Sequence, residues 1–173
     1  MPGLLVLDGG ACPVGLESTV LDLTQDAPVI LRPGTVTADD LAKVLGRAVD
    51  SKHATAQGAS PGTAVSHYAP VTPARLVPRG ALADELARER GRCAVLAAST
   101  ASIESLSAQA RARHTILCMP QGWQAYAAAL YDRLRLADAE RCSRILIEDP
   151  ATEPVDRWAG VRDRLRRATA RRA

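Results

Sequence analysis

Aromatic side chains are scarce in this 173-residue sequence. They make up 3% of it, and phenylalanine is missing altogether. A core must therefore be filled by Leu, Val, Ile and Ala, and the stacking platforms that grip single-stranded nucleic acid are not expected. Long apolar runs are also missing. None approaches the ~18 residues that a membrane-spanning helix needs, and no leader peptide is visible. A cytoplasmic protein with no membrane partner is the expectation. The four cysteines (Cys12, Cys93, Cys118, Cys142) show no C-x-x-C spacing and no histidine at ligand distance. Reduced thiols are expected, with Cys93 and Cys118 buried in apolar strand-like runs and no metal site. Several catalytic signatures are lacking too. There is no G-x-S-x-G elbow, no phosphate-cradling P-loop and no G-x-G-x-x-G after a strand. Asp149 and Glu153 flank Pro150 without a partner base, and His53 and His114 read as isolated surface residues. No catalytic residue is assigned on this basis.

Charge is present but uneven. The formal net charge is +3. Residues 1–48 carry three basic and six acidic residues, a balance of −3, and residues 49–73 set Lys52 against Asp50. The remainder carries +6, with seven Arg between Asp156 and Arg172. A basic terminal helix can suggest nucleic acid. A solvated helix face with an Arg-rich tail is the simpler reading, and direct nucleic-acid binding is not expected.

Patterning divides the chain in three. Residues 4–8 form an apolar run ending at Gly9-Gly10, read as a strand. Residues 18–23 alternate as a half-buried strand does, and residues 29–31 form a second short run. Thr37 suits a helix N-cap, with Asp39 and Asp40 favouring the helix dipole, Leu41, Val44 and Leu45 on one face and Gly46 to close it. Residues 49–73 are rich in Ala, Ser, Gly, Thr and Pro and read as a linker. From residue 74 onward strands and helices alternate. Strands are expected at 75–77, 93–98, 115–119 and 144–148, and helices at 81–90, 102–111, 122–139 and 156–170. That alternation predicts an α/β fold in which residues 74–173 make a small Rossmann-like domain with a parallel sheet.

The chemistry-bearing stretch is residues 15–34, GLESTVLDLTQDAPVILRPG. Ser18, Thr19 and Arg32 sit at strand ends beside tight turns. A strand hydroxyl often serves structure only, bonded to a neighbouring backbone group. A strand-end Arg is often a surface charge. The same groups could also hold a small polar substrate and a phosphate, because a planar guanidinium grips phosphate oxygens.

The G-x-E-S-T-V-x-D-L-T and I-L-R-P-G pattern resembles the closing segment of the YrdC-like domain of threonylcarbamoyl-AMP synthases. Ser60-Pro61-Gly62 followed by Ser66-His67-Tyr68-Ala69-Pro70 resembles the S-P-G…H-Y-A-P linker of the family's long, two-domain form. Trp158-Ala159-Gly160-Val161-Arg162-Asp163-Arg164-Leu165 resembles that form's last helix. The resemblance implies three parts: 1–48, the C-terminal remnant of the YrdC-like catalytic domain; 49–73, a linker over the active site; and 74–173, the Rossmann-like domain. It implies an L-threonylcarbamoyladenylate synthase, a nucleotidyltransferase working on L-threonine, bicarbonate and ATP for a tRNA modification, with Mg2+ allowed as a companion of ATP in the full enzyme. Ser18 matches the position that contacts L-threonine. Arg32 matches an ATP contact, and Tyr68, with His67 as second choice, matches the linker residues that fold over the nucleotide. Thr63, Ala64, Val65 and Ser66 stand where the common linker has Met and basic residues, so any phosphate contact from those basic positions is lost. The family's Lys-x-Arg and Ser-x-Asn motifs would lie N-terminal to Met1. The chain is therefore expected to be inactive alone and to dock with a YrdC-like N-terminal half. The alternative is a non-catalytic regulatory or assembly module that complements a separate catalytic chain.

Overall fold

Four parallel strands in the order β3-β6-β4-β5 organise the computed structural model, which describes residues 3–10, 12–16, 18–51, 69–150 and 153–170. The strands are β3 (Ala74–Val77), β4 (Cys93–Ala97), β5 (Thr115–Cys118) and β6 (Arg144–Glu148). Every residue of β4 is buried, as are the last four of β6. Such unbroken apolar runs are what a sheet covered on both faces requires.

Alternation along the strands feeds two cores. Ala94, Leu96, Ile145 and Ile147 face α5 (Trp123–Ala139) and α6 (Ala159–Thr169), which contribute Tyr126, Leu130, Leu134, Val161 and Leu165. Cys93, Val95, Ala97 and Leu146 face the other way, against α2 (Leu82–Arg88), α3 (Thr100–Glu104) and α4 (Ala108–Arg113), through Leu82, Leu86 and Leu106. The result is a Rossmann-like domain of three layers, helix, sheet and helix, as the alternating pattern predicts.

The helix expected over 102–111 is two helices. Ser99 caps α3 by accepting from the Ser102 N–H, and Ser107 caps α4 by accepting from the Ala110 N–H. Leu106, between them, drops into the core at 2% exposure. The last helix begins as a 3-10 turn, Val155–Trp158, before α6 proper. At the entry to this domain the Val71 and Thr72 N–H groups both donate to the Asp138 carboxylate, at 2.9 and 2.8 Å.

Upstream, β1 (Val20–Asp22) and β2 (Val29–Arg32) form an antiparallel hairpin with an irregularity between Val20 and Leu21. It is followed by α1 (Ala38–Leu45). Thr37 closes a full capping box with Asp40, and Gly46 ends the helix at φ 67°, a left-handed geometry that glycine adopts freely. The strand expected over 4–8 does not form. Leu4, Leu5, Val6 and Leu7 are 71–87% exposed and pair with nothing. The Leu41, Val44, Leu45 face of α1 is not a core face either, because α1 buries no residue and Val44 is exposed.

Two other expectations are corrected. His114 is not a surface residue. It is 6% exposed, with Nδ1 accepting from the Cys93 N–H at 3.0 Å. The Arg-rich terminal helix is not a plain solvated face: Arg164 is 4% exposed, and Arg157, Arg164 and Arg167 are all in ion pairs. Of the cysteines expected in apolar strands, Cys93 is buried and Cys118 half-buried; all four are free thiols.

Candidate functional site

The hairpin register sets Val20 opposite Arg32, so the end of β2 lies beside the residues that enter β1. Arg32 Nε donates to the Ser18 carbonyl oxygen at 3.2 Å. Ser18 itself is exposed, and the guanidinium is held over its main chain. The two candidate binding residues are thereby brought together at one hairpin end. Thr19 takes the structural alternative. Its hydroxyl donates to the Val36 carbonyl at 2.8 Å and accepts from the Gly34 and Val36 N–H groups at 3.1 and 3.2 Å. One side chain satisfies three main-chain groups and fixes the loop that follows Arg32. Tyr68 and His67 lie outside the described residues.

The hairpin does not stand apart from the parallel sheet. Val14 and Leu16 pack against the α5–α6 core, and Gly15, at φ 66°, sits where a Cβ would come within 3.0 Å of Ala128 Cα. Asp40 pairs with Arg157 at 3.0 Å. Its carboxyl is held below the usual carboxylate range, chiefly by hydrogen bonds from the Thr37 side chain and main chain, with Arg157 adding less. Asp22 is lowered in the same way by the Thr24 hydroxyl and N–H. A cleft of ≈ 200 Å³ opens between the 33–38 loop and α6, with Pro33, Gly34 and Thr37 on one wall and Ala159, Arg162 and Arg166 on the other.

A second concave region of a parallel sheet lies past the carboxyl ends of its strands, where open α/β folds take ligands. Here a side chain of the chain itself takes main-chain donors at that end. Glu148, the last residue of central strand β6, is fully buried, and its carboxyl group accepts from the Gly80 N–H at 3.0 Å and the Ala98 N–H at 2.9 Å. Those main-chain donors follow β3 and β4, the position from which such loops reach an anionic ligand. Gly160 and Arg164 fall within the last-helix stretch that carries the resemblance, without a role of their own, and nothing in the sequence singled out Glu148. A charged residue closing the strand over 144–148 after three apolar ones was the one available signal for Glu148.

Among the described residues no group of three or more His, Cys, Asp and Glu side chains is placed to hold a metal ion. Among the same residues no helix is long and apolar enough to cross a membrane.

A family model described as "Threonylcarbamoyl-AMP synthase, C-terminal domain" matches residues 36–170. The chain is similar to the threonylcarbamoyl-AMP synthase of Bacillus subtilis, 41% identical over 71 residues, which are 39% of this chain and 20% of that one. It is similar to that of Pyrococcus abyssi, 43% identical over 70 residues, 38% of this chain and 20% of that one. Among solved structures it is similar to P. abyssi Sua5 complexed with L-threonine, with TM-score 0.72, 26% identity and coverage of 94% of this chain and 48% of that chain. A P. abyssi Sua5 variant in which adjacent His and Tyr residues are both changed to Ala gives TM-score 0.69 at 25% identity, covering 94% of this chain and 47% of that one. The chain thus spans about half the length of these solved relatives, and its matched stretch a fifth of the curated ones.

Proposed function

The chain belongs to the threonylcarbamoyl-AMP synthase family, whose C-terminal domain it carries, and from that membership we propose that it is the C-terminal part of an L-threonylcarbamoyladenylate synthase, a cytoplasmic nucleotidyltransferase serving tRNA threonylcarbamoyladenosine modification. The reaction joins L-threonine, bicarbonate and ATP into threonylcarbamoyl-AMP, pyrophosphate and water. Residues 1–48 close the catalytic domain, 49–73 link it to the Rossmann-like domain, and 74–173 form that domain. Ser18 contacts L-threonine. Arg32 grips ATP phosphate oxygens, and Tyr68 covers the nucleotide with His67 beside it. In support, a solved relative is described as complexed with L-threonine, and another carries Ala at an adjacent His–Tyr pair. This chain has one such pair, His67-Tyr68.

The observation that carries the reading is the tie between Arg32 Nε and the Ser18 carbonyl, in a chain of this family. It sets a guanidinium over the main chain of an exposed serine at one hairpin end. Positioning and charge stabilisation are the main demands of acyl-phosphate-type transfer. Any Mg2+ would enter with ATP rather than be caged by the described residues.

The test mixes this chain with a YrdC-like N-terminal half and measures pyrophosphate released from ATP with L-threonine and bicarbonate. Neither partner alone should release it, and the mixture should. Arg32→Ala should cost one charge-assisted contact, about 1.5–3 kcal/mol, or a roughly 10- to 100-fold fall in kcat/KM for ATP. Release by this chain alone would refute the incomplete-enzyme reading. One observation favours the second reading, a non-catalytic regulatory or assembly module: Glu148 already takes the N–H groups of Gly80 and Ala98 at the carboxyl ends of β3 and β4. Under that reading the mixture is active and Arg32→Ala changes nothing.

A further inference from the structure

We propose that Gly160 and Arg164 of α6 are positioning residues for Arg32: the last helix of the Rossmann-like domain clasps the loop that follows Arg32 and so sets where its guanidinium stands. The consequence for ATP rests on the proposed function. The clasp itself does not.

The loop runs from Pro33 to Val36, between Arg32 at the end of β2 and Thr37 at the N-cap of α1. On its hairpin side the Thr19 hydroxyl bonds Gly34 and Val36. On its far side stands the backbone of α6. Gly160 is buried, and a Cβ built on it would lie 3.0 Å from the Gly34 carbonyl oxygen and 3.2 Å from Leu16 Cδ1. Glycine inside a helix costs roughly 1 kcal/mol against alanine. Here the missing side chain lets helix and loop touch backbone to backbone.

One turn further, on the same helix face, Arg164 Nη1 donates to the Pro33 carbonyl at 3.3 Å and to Asp163 Oδ2 at 2.6 Å. Asp163 also takes Arg167 Nε at 2.9 Å and Nη2 at 3.1 Å. A guanidinium this buried is costly unless paired. The Asp163 carboxylate, shared with Arg167, supplies the pairing, so Arg164 can present a donor to a main-chain carbonyl in the interior. The Asp40–Arg157 pair holds the first turn of α1 to the same side. The segment from 33 to 40 is therefore gripped at three points by residues 157–164, directly after Arg32. Exposed hairpin ends fray by default. This one is fixed from a second layer of the molecule.

The test is residue-resolved amide exchange on the full chain, with Gly160→Ala and Arg164→Met as variants and Arg164→Lys as the conservative control. Alanine favours a helix more than glycine does, so Gly160→Ala loads the loop and not α6. Exchange at the Gly34 and Val36 amides should rise at least tenfold in Gly160→Ala and Arg164→Met, less in Arg164→Lys, while the β4 amides stay protected. In the reconstituted mixture the same variants should raise KM for ATP about tenfold and leave KM for L-threonine within twofold. Unchanged exchange at Gly34 and Val36 overturns the clasp, whatever the mixture does. Loosened exchange with an unchanged KM for ATP in an active wild-type mixture overturns the link to Arg32. A wild-type mixture without pyrophosphate release overturns the function reading instead, and the exchange result still decides the clasp.

Discussion

A carboxyl group with no solvent and two main-chain N–H donors is a small device with large leverage. Glu148 receives the N–H of Gly80 from the loop after β3 and the N–H of Ala98 from the loop after β4, and it is itself the last residue of β6. One side chain ties together three strand ends in the middle of the sheet. Removing it leaves the buried Ala98 N–H without an acceptor, at about 1–3 kcal/mol, frees the Gly80 N–H on the exposed loop to water, and leaves a cavity besides. Glu148→Ala should therefore lower unfolding stability by about 2–4 kcal/mol, one buried donor together with the cavity. Glu148→Gln keeps one acceptor but turns an amide N–H2 toward the other donor, so it should fall between the two. Urea unfolding followed by circular dichroism reads both. A loss under about 1 kcal/mol for the alanine variant, below one unsatisfied donor, would show that water replaces the carboxyl group and that the crevice is open. The same residue shows where sequence reading stops. Ser18, Thr19 and Arg32 could be picked out because a hairpin brings near neighbours together. Glu148, Gly160 and Arg164 matter through groups 50 or more residues away in the chain, and no local pattern announces such a meeting.

Elements were legible where packing and local preference agree. The strand over residues 144–148 and the helix over 122–139 are recovered almost residue for residue, because a run buried on both faces and a three-and-four apolar repeat each admit few alternatives. The helix pattern over 102–111 hid a break, because Ser107 served equally well as a helix residue and as a cap; the cap won when Leu106 turned inward. The apolar run over 4–8 had strand character but lacks a partner strand, and strand propensity without pairing makes no strand. Between α4 and β4 the link is His114. It ends α4, and its Nδ1 accepts from the first N–H of β4. Burial first, then the neighbouring Arg113, hold its imidazole below its ordinary value of 6.5; Glu89 opposes and Arg92 adds a little. A protonated ring would also lose Nδ1 as an acceptor. The folded state thus binds fewer protons than the unfolded state below pH 6.5, so stability is full above 6.5 and falls as pH drops through the lowered value. Unfolding midpoints in urea at pH 8 and 5.5 should show this decline. His114→Asn keeps an acceptor oxygen and cannot titrate, so its midpoint should be flat across that window. An equal slope in both proteins would place the titration elsewhere.

Across the whole molecule, opposite charges and unequal burial set the arrangement. Residues 1–48 carry −3 and residues 74–173 carry +6. The two parts meet at Asp40–Arg157 and at the Gly160–Gly34 contact. In the small part, Leu4, Leu5, Val6, Leu7 and Val44 stand 71–87% exposed. Four consecutive apolar side chains in solvent are the kind of segment that can pair with a partner strand. Under the proposed docking with a YrdC-like half, this segment would pair as a strand of the joined domain. Leu5 and Leu7 would share one face of that strand and Leu4 and Val6 the other. Replacing Leu5 and Leu7 by Asp puts two charges where apolar area must be buried. Each buried leucine is worth about 1.5–3 kcal/mol, so the pair should weaken complementation at least tenfold. The unfolding midpoint of this chain alone should not move, because both side chains are already in solvent. Titrating the N-terminal half against wild-type and doubly substituted chains, with pyrophosphate release as the readout, separates the cases. A curve displaced to higher concentration with the same plateau means that docking is weakened and catalysis is spared. Coincident curves mean that the halves meet elsewhere, and the exposed leucines then owe their place to some other contact.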